Sequence, residues 1–411
     1  MKKKTVSMIA TGVAACLTMA ACGNPDSGKN PPEFDATKLP YYVADTDSLT
    51  YSYTDEERIQ PFWQGNVMRN EQLMIVEKDG VVQGKLLYPA EKVLSVRDWA
   101  LEKEYQAGID YVINGNTITL PEGSSIPVFK DEWSHCQNIP SQYPAGNAAS
   151  GYQDLGGLCY TESSLIWGNY IHVSYVYDPE LVNRDVYTKF NDDLYGLHDL
   201  FATKEEVNLV VIGDSISEGC SASELWGHAP HQPYYSKLVA EGIEQHANVK
   251  VNFTNLSVGG KDSTWGAEDE QLTDISDAMP DILIVGFGTN DSLMHLSGNR
   301  YKNNIRAIID AARIANPNCQ IVLLAPFASN PESKAYSTQE ENVARLEEII
   351  DSGEYLDVTL VNMYELTKEM LETKNYYEIA GNNINHPNDF IHRVYAMNIL
   401  SAMFDLENSN K

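Results

Sequence analysis

The pattern of apolar and polar positions divides the chain in two. From about Tyr41 to Phe201, apolar residues come in short runs separated by turn-forming residues. The runs at 72–76, 84–88, 111–113 and 117–120 have the length and composition of strands, and Asn114-Gly115-Asn116 between the last two is a hairpin signal. Residues 171–177 alternate as a half-buried strand does. Helical periodicity is scarce here. The pattern predicts an all-β domain, a sandwich of the jelly-roll kind.

From Val207 onward the period changes. Strand-like apolar runs at 207–212, 249–255, 281–287, 319–325 and 357–362 alternate with helix-like stretches, among them 234–246 and 301–315. A last helix is expected over 387–404, with Pro387 in its first turn. Strands alternating with helices predict a doubly wound α/β domain with a mainly parallel sheet. The expected organisation is a leader over 1–21, a flexible tether over 22–40, a β-sandwich accessory domain over 41–203 and an α/β domain over 204–411.

The ends and the composition sharpen this picture. Lys2, Lys3 and Lys4 precede an apolar, small-residue stretch that closes on Met19-Ala20-Ala21-Cys22, followed by a polar tether. The stretch reads as a secretory signal. A cysteine directly after two small residues resembles a bacterial lipoprotein signal, which implies lipidation of Cys22 and a protein held at the extracellular face of the bacterial cell membrane. Val13-Ala14-Ala15-Cys16 is a rival box, but it leaves a very short apolar region and an apolar mature start. No other run is long and apolar enough to span a bilayer, so contact with the membrane is expected only through the lipid. A length of 411 residues suits two domains, and 43% hydrophobic residues suffice for two cores. The formal net charge of −29 argues against nucleic acid as a partner, because phosphate binding needs clustered lysine and arginine.

Beyond Cys16 and Cys22 the chain holds Cys136, Cys159, Cys220 and Cys319 with no CxxC pair, so no zinc site is expected. Cys319 opens an apolar run and belongs in the core. An oxidising compartment would permit a Cys136–Cys159 disulfide, which the sequence leaves open. His228 and His231 lack a third ligand and read as loop residues; no metal or cofactor is expected.

The candidate chemistry lies where the second half's strands end. Gly213-Asp214-Ser215-Ile216-Ser217 follows the first apolar run, so Ser215 stands at the carboxyl end of a parallel strand, where open α/β sheets bind ligands. Asn255 to Gly260 follows the second, Gly288-Thr289-Asn290-Asp291 follows the third, and Asn385-His386-Pro387-Asn388-Asp389 precedes the last helix. Four such blocks in this order resemble the SGNH (GDSL-type) hydrolase superfamily over about Val207 to the end of the chain. The resemblance implies a flavodoxin-like doubly wound sheet and a serine esterase. Ser215 would be the nucleophile and His386 its base, with the Ser215 N–H, the Gly260 N–H and the Asn290 side-chain amide as oxyanion donors. Asp214 is expected to turn away and hold the turn.

One departure stands out. The family usually carries an aspartate three residues before the histidine; here Asn383 stands there. Three outcomes follow: another acceptor such as a backbone carbonyl orients His386 in a Ser-His dyad, Asp389 turns in, or the site is inactive. Relatives similar in build, the two-domain acetyl-xylan esterases, work as dyads, and that outcome is favoured. A shifted reading, Asp389-x-x-His392, puts His392 inside the last helix. Trp226, Tyr234, Tyr235 and Trp265 are candidates for stacking on a sugar ring. The function expected is a secreted, lipid-anchored esterase that removes small acyl groups, acetyl above all, from carbohydrate, with an acylated small molecule or polysaccharide as substrate. The alternatives are a short-chain lipase or acyl esterase, and an inactive glycan-binding lipoprotein.

Overall fold

A computed structural model describes residues 34–143, 147–148, 157–190 and 192–406. The lipidation site expected at Cys22, and the leader before it, lie outside these residues.

In the α/β part, five apolar runs become strands: β10 (Glu206–Gly213), β11 (Lys250–Asn255), β12 (Ile282–Gly286), β13 (Gln320–Ala325) and β14 (Val358–Asn362). They form one sheet in the order β11-β10-β12-β13-β14, with every pairing parallel. The order reverses beside β10, so the crevice beyond its carboxyl end is a topological switch point. Helices over Tyr235–Ala247 and Gly298–Ala315 fall where the periodicity put them. The last helix begins two residues later than expected, at Asp389. Asn388 is its N-cap, accepting from the Ile391 N–H, while Pro387 pairs with Ala380 before the helix starts.

The N-terminal part is sheet-rich. Its strands are β1 (Val67–Lys78), β2 (Val81–Lys85), β3 (Ala90–Asp98), β4 (Val112–Asn114), β5 (Thr117–Thr119), β6 (Val128–Lys130) and β9 (Tyr170–Tyr177), with a two-residue pair β7 (Asn147–Ala148) and β8 (Cys159–Tyr160) alongside. The hairpin expected at Asn114-Gly115-Asn116 joins β4 to β5. In place of the two facing sheets of a jelly roll, seven strands join in one sheet, ordered β3-β9-β1-β2-β5-β4 with β6 on β1. The cause is β1, whose first half pairs with β9 and whose second half pairs with β2 and β6; a bulge between Met68 and Glu71 bends it. Strand β9 was expected to be half-buried, yet all eight residues are buried, because it is central, between β3 and β1. Its polar side chains find partners: Ser174 Oγ donates to Asn70 Oδ1, and His172 Nε2 meets the Trp99 carbonyl.

Residues from Ala36 onward form one compact unit. The helix Asp389–Met403 explains why. All fifteen of its residues are buried. A helix buried on every side lies inside a core rather than on a surface, and its polar members need partners there. It packs against the helix Tyr235–Ala247 and also against β1, and its side chains sit in one hydrophobic core with residues of β1, β9 and β10. Polar contacts reinforce the seam. Arg393 donates to the carbonyls of Arg58 and Arg69, the Phe390 N–H donates to Gln72 Oε1, and the Tyr170 hydroxyl donates to the Tyr377 carbonyl. No helix among the described residues is long and apolar enough to cross a membrane.

Candidate active site

Strand β10 delivers Ser215. Gly213 closes the strand where a Cβ would lie 2.4 Å from the Gly286 carbonyl oxygen and 2.4 Å from Ser217 Oγ, so no other residue fits. Asp214 turns its carboxylate back to accept from the Ile216 N–H at 2.9 Å, capping the short helix Ser215–Glu218. Burial pushes its carboxyl up to about 7. Ser215 is the first residue of that helix, where the N–H has no intrahelical acceptor.

His386 arrives from a loop before the last helix. Asn382 Oδ1 accepts from the N–H groups of Ile384, Asn385 and His386, and the Gly381 N–H bonds to the His386 carbonyl. The result is a 2.8 Å contact between Ser215 Oγ and His386 Nε2, with both side chains nearly buried.

The other two blocks meet at the same place. The Asn290 amide donates to the Lys261 carbonyl at 2.9 Å, which leaves its second N–H for the cavity it lines. Gly260 has φ of +76° and lines the same cavity. Its neighbour Gly259 donates its N–H to Glu218 Oε2 at 2.8 Å, so Gly260 is the glycine left to serve a ligand. Asp291, whose role the sequence did not reveal, braces this arrangement: its carboxylate accepts from the Ser263 N–H and hydroxyl. Burial pushes that carboxyl up to about 6.

Neither Asn383 nor Asp389, the two side chains weighed beside a dyad, is what orients the His386 ring. The Asn383 amide donates to the carbonyls of Ser134 at 2.9 Å and Cys159 at 3.2 Å. Asp389 accepts from the Ser223 N–H at 2.8 Å. His386 Nδ1 instead hydrogen-bonds Glu162 Oε1. Glu162 belongs to the sheet-rich part, 224 residues away in sequence, and no local pattern marks it. The one sequence signal was Asn383 itself, an uncharged residue where a carboxylate was due. Cys136 and Cys159, left open by the sequence, form a disulfide close by, with Cα atoms 4.9 Å apart.

The remaining candidates sort by burial. His392 is buried in the last helix, where its Nε2 meets the Cys220 carbonyl. Tyr234 and Tyr235 are core residues, and Trp265 packs on Phe287. Trp226 is 50% exposed at the cavity rim. His228 stacks on Trp167, and no group of residues fit to hold a metal occurs among the described residues. Burial pushes the Cys220 thiol up to about 12, so this cavity-lining thiol stays protonated and is no rival nucleophile. The cavity measures about 430 Å³.

Residues 211–394 match the model of the GDSL-like Lipase/Acylhydrolase family. No curated protein matches. Among solved structures, a two-domain esterase active on acetylated mannans aligns at 20% identity with a TM-score of 0.40, covering 52% of this chain and 53% of its own. An acetylxylan esterase from Geobacillus stearothermophilus aligns at 17% identity and TM-score 0.40, covering 49% of this chain and 95% of that one. A carbohydrate esterase of family 3 from Talaromyces cellulolyticus aligns at 17% identity and TM-score 0.38, covering 47% and 94%. The chain thus spans about half the length of the two-domain esterase.

Proposed function

We propose that the protein is a serine esterase that removes short acyl groups, acetyl foremost, from carbohydrate, on the basis that residues 211–394 match the model of the GDSL-like Lipase/Acylhydrolase family. The observation that carries the reading is the 2.8 Å contact of Ser215 Oγ with His386 Nε2 at the edge of the cavity. Serine is a poor nucleophile until a base takes its proton. In the proposed reaction His386 accepts that proton as Oγ bonds to the ester carbonyl carbon. The carbonyl oxygen takes the negative charge and is met by the N–H groups of Ser215 and Gly260 and the free N–H of Asn290. The bond to the sugar oxygen then breaks, and the proton held by His386 goes to that oxygen. Water, deprotonated by His386, attacks the acyl-serine and releases acetic acid and free Ser215. No metal or cofactor enters these steps.

Two features favour a small acyl group on a sugar. The cavity volume, about 430 Å³, is at the lower end of the range for small-molecule sites, roughly 300–1,000 Å³. It suits a short acyl group with a ring rather than a long chain. Trp226 at the rim offers an aromatic face of the kind that packs on a sugar ring. In this reading residues 204–411 carry the nucleophile, its base and the oxyanion donors, and residues 41–203 support them. Cys22 carries a lipid that holds the protein outside the cell. Loss of fatty-acid labelling in Cys22→Ala would support the anchor, and unchanged labelling would refute it.

The test of the reading is hydrolysis of 4-nitrophenyl acetate by the purified protein beside Ser215→Ala. Activity in the parent that is lost in the variant is expected; equal rates would refute the assignment. Octanoyl esters should be poorer substrates than acetyl esters. Trp226→Ala should raise KM for acetylated xylan or mannan while leaving 4-nitrophenyl acetate nearly unchanged.

A further inference from the structure

The partner of His386 Nδ1 points to a division of labour across the molecule. The imidazole has two distinct nitrogens, and what the second one bonds fixes the tautomer and the ring's orientation. With Nε2 on Ser215 Oγ, that task falls to whatever meets Nδ1. Glu162 meets it, with a carboxylate that is largely buried (side chain 13% exposed).

The segment bearing Glu162 is held on both sides. Before it, Cys159 is bonded to Cys136. After it, Leu165 and Ile166 are fully buried in a core cluster with Phe129 and Trp133. Ser163 Oγ accepts from the Thr161 hydroxyl and the Leu165 N–H, tightening the turn between. The third tie comes from the α/β part. The Asn383 amide donates one N–H to the Ser134 carbonyl and the other to the Cys159 carbonyl, gripping the chain on both flanks of the disulfide. Asn383 can do this because an amide carries two donors, whereas a carboxylate would turn acceptor against acceptor. Its left-handed φ of +65° is one that asparagine tolerates.

We propose that Glu162 of the sheet-rich part is the positioning residue for His386, and that Asn383 with the Cys136–Cys159 disulfide holds Glu162 in register. The α/β part then carries nucleophile and base but lacks the group that orients the base; the N-terminal part completes the centre. This inference rests on the esterase reading above and specifies how its base is oriented.

The test is steady-state kinetics on 4-nitrophenyl acetate for Glu162→Gln, Glu162→Asp and Asn383→Asp in the full-length protein, beside Ser215→Ala. In the Ser-His-Asp template, exchanging the orienting acid for its amide costs on the order of 10⁴ in kcat. Glu162→Gln should lose about 10²–10⁴ in kcat with KM held within about threefold. Its melting temperature should stay close to the parent's. Glu162→Asp should recover part of the rate, and a low-field imidazole N–H proton resonance present in the parent should vanish in Glu162→Gln. Asn383→Asp should lower kcat, since it restores a carboxylate but releases the clamp. If Ser215→Ala abolishes activity while Glu162→Gln keeps the parent's kcat, the positioning role falls and the esterase reading stands. A rise in kcat for Asn383→Asp would overturn the clamp. No loss in Ser215→Ala would overturn the reading beneath both.

Discussion

Lys374 and Glu71 form an ion pair with both side chains wholly buried, joining the α/β part to β1 of the sheet-rich part. Lys374→Met keeps most of the aliphatic stem and removes the charge. Glu71 would retain two neutral donors, the Leu87 N–H at 3.0 Å and the Tyr175 hydroxyl at 2.5 Å. Two such bonds do not replace an ammonium, and the Lys85 carbonyl loses its donor as well. Breaking one side of a buried pair costs about 3–5 kcal/mol, because the remaining charge stays desolvated. The orphaned carbonyl adds about 1 kcal/mol or more. A loss of about 4–6 kcal/mol is therefore expected, a large share of the ~5–15 kcal/mol that holds typical domains folded. Glu71→Leu in the same background removes the stranded charge, so the double variant should be more stable than Lys374→Met alone. Urea unfolding at neutral pH, followed by tryptophan fluorescence and far-UV circular dichroism together, measures all three proteins. One shared transition in the parent is expected from the common core. A Lys374→Met loss below about 1 kcal/mol, or a double variant less stable than Lys374→Met, would refute the buried-charge reasoning.

Other expectations concern the site and its supports. Asn290→Ala should lower kcat on 4-nitrophenyl acetate by about 10²–10³ with little change in KM, the usual cost of one oxyanion donor; an unchanged kcat would remove Asn290 from that role. Gly213→Ala should destabilise by about 1–3 kcal/mol or more, because the new methyl meets backbone and a buried hydroxyl at 2.4 Å; calorimetry showing no loss would contradict the close approach. Burial raises the Asp214 carboxyl from 3.8 to about 7, so the folded protein holds this proton more tightly than the unfolded chain. Its contribution to stability is full below about pH 4 and is lost as pH rises through about 7. The melting temperature of the parent minus that of Asp214→Asn should fall between those limits, and a flat difference would refute the shift.

The α/β half was legible because its inner strands β10, β12 and β13 are buried almost throughout and read as apolar runs, with the edge strand β11 the weakest signal. The five runs found from sequence match β10 to β14 within a residue or so at each end. Ser215, Gly260, Asn290 and His386 were legible for a related reason: each sits at a strand or helix end that the periodicity locates. Glu162 was not, since nothing near Thr161-Glu162-Ser163-Ser164 announces a contact 224 residues away. Residues 171–177 show a second limit. Alternation of apolar and polar residues looks half-buried in one dimension, but Ser174 and His172 are polar and buried because neighbouring strands satisfy them. Four aromatics near the site looked equivalent in sequence, and only burial separates the rim residue Trp226 from the core residues Tyr234 and Tyr235. The jelly-roll expectation met its limit in β1, since strand partners depend on where a long strand bends, which composition does not encode.

The helix Asp389–Met403 has no side that faces water. A site-by-site substitution scan would therefore show no every-third-residue rhythm of tolerance along it, but an unbroken block in which polar replacements fail. Its backbone amides can reach solvent only when both neighbouring layers part at once, so they should exchange with deuterium at the rate of whole-protein opening. The residue that precedes this helix by three places is His386. The imidazole is thus mounted on the part of the chain that is last to come loose, and the proposed base should hold its place up to the temperature at which the protein as a whole melts.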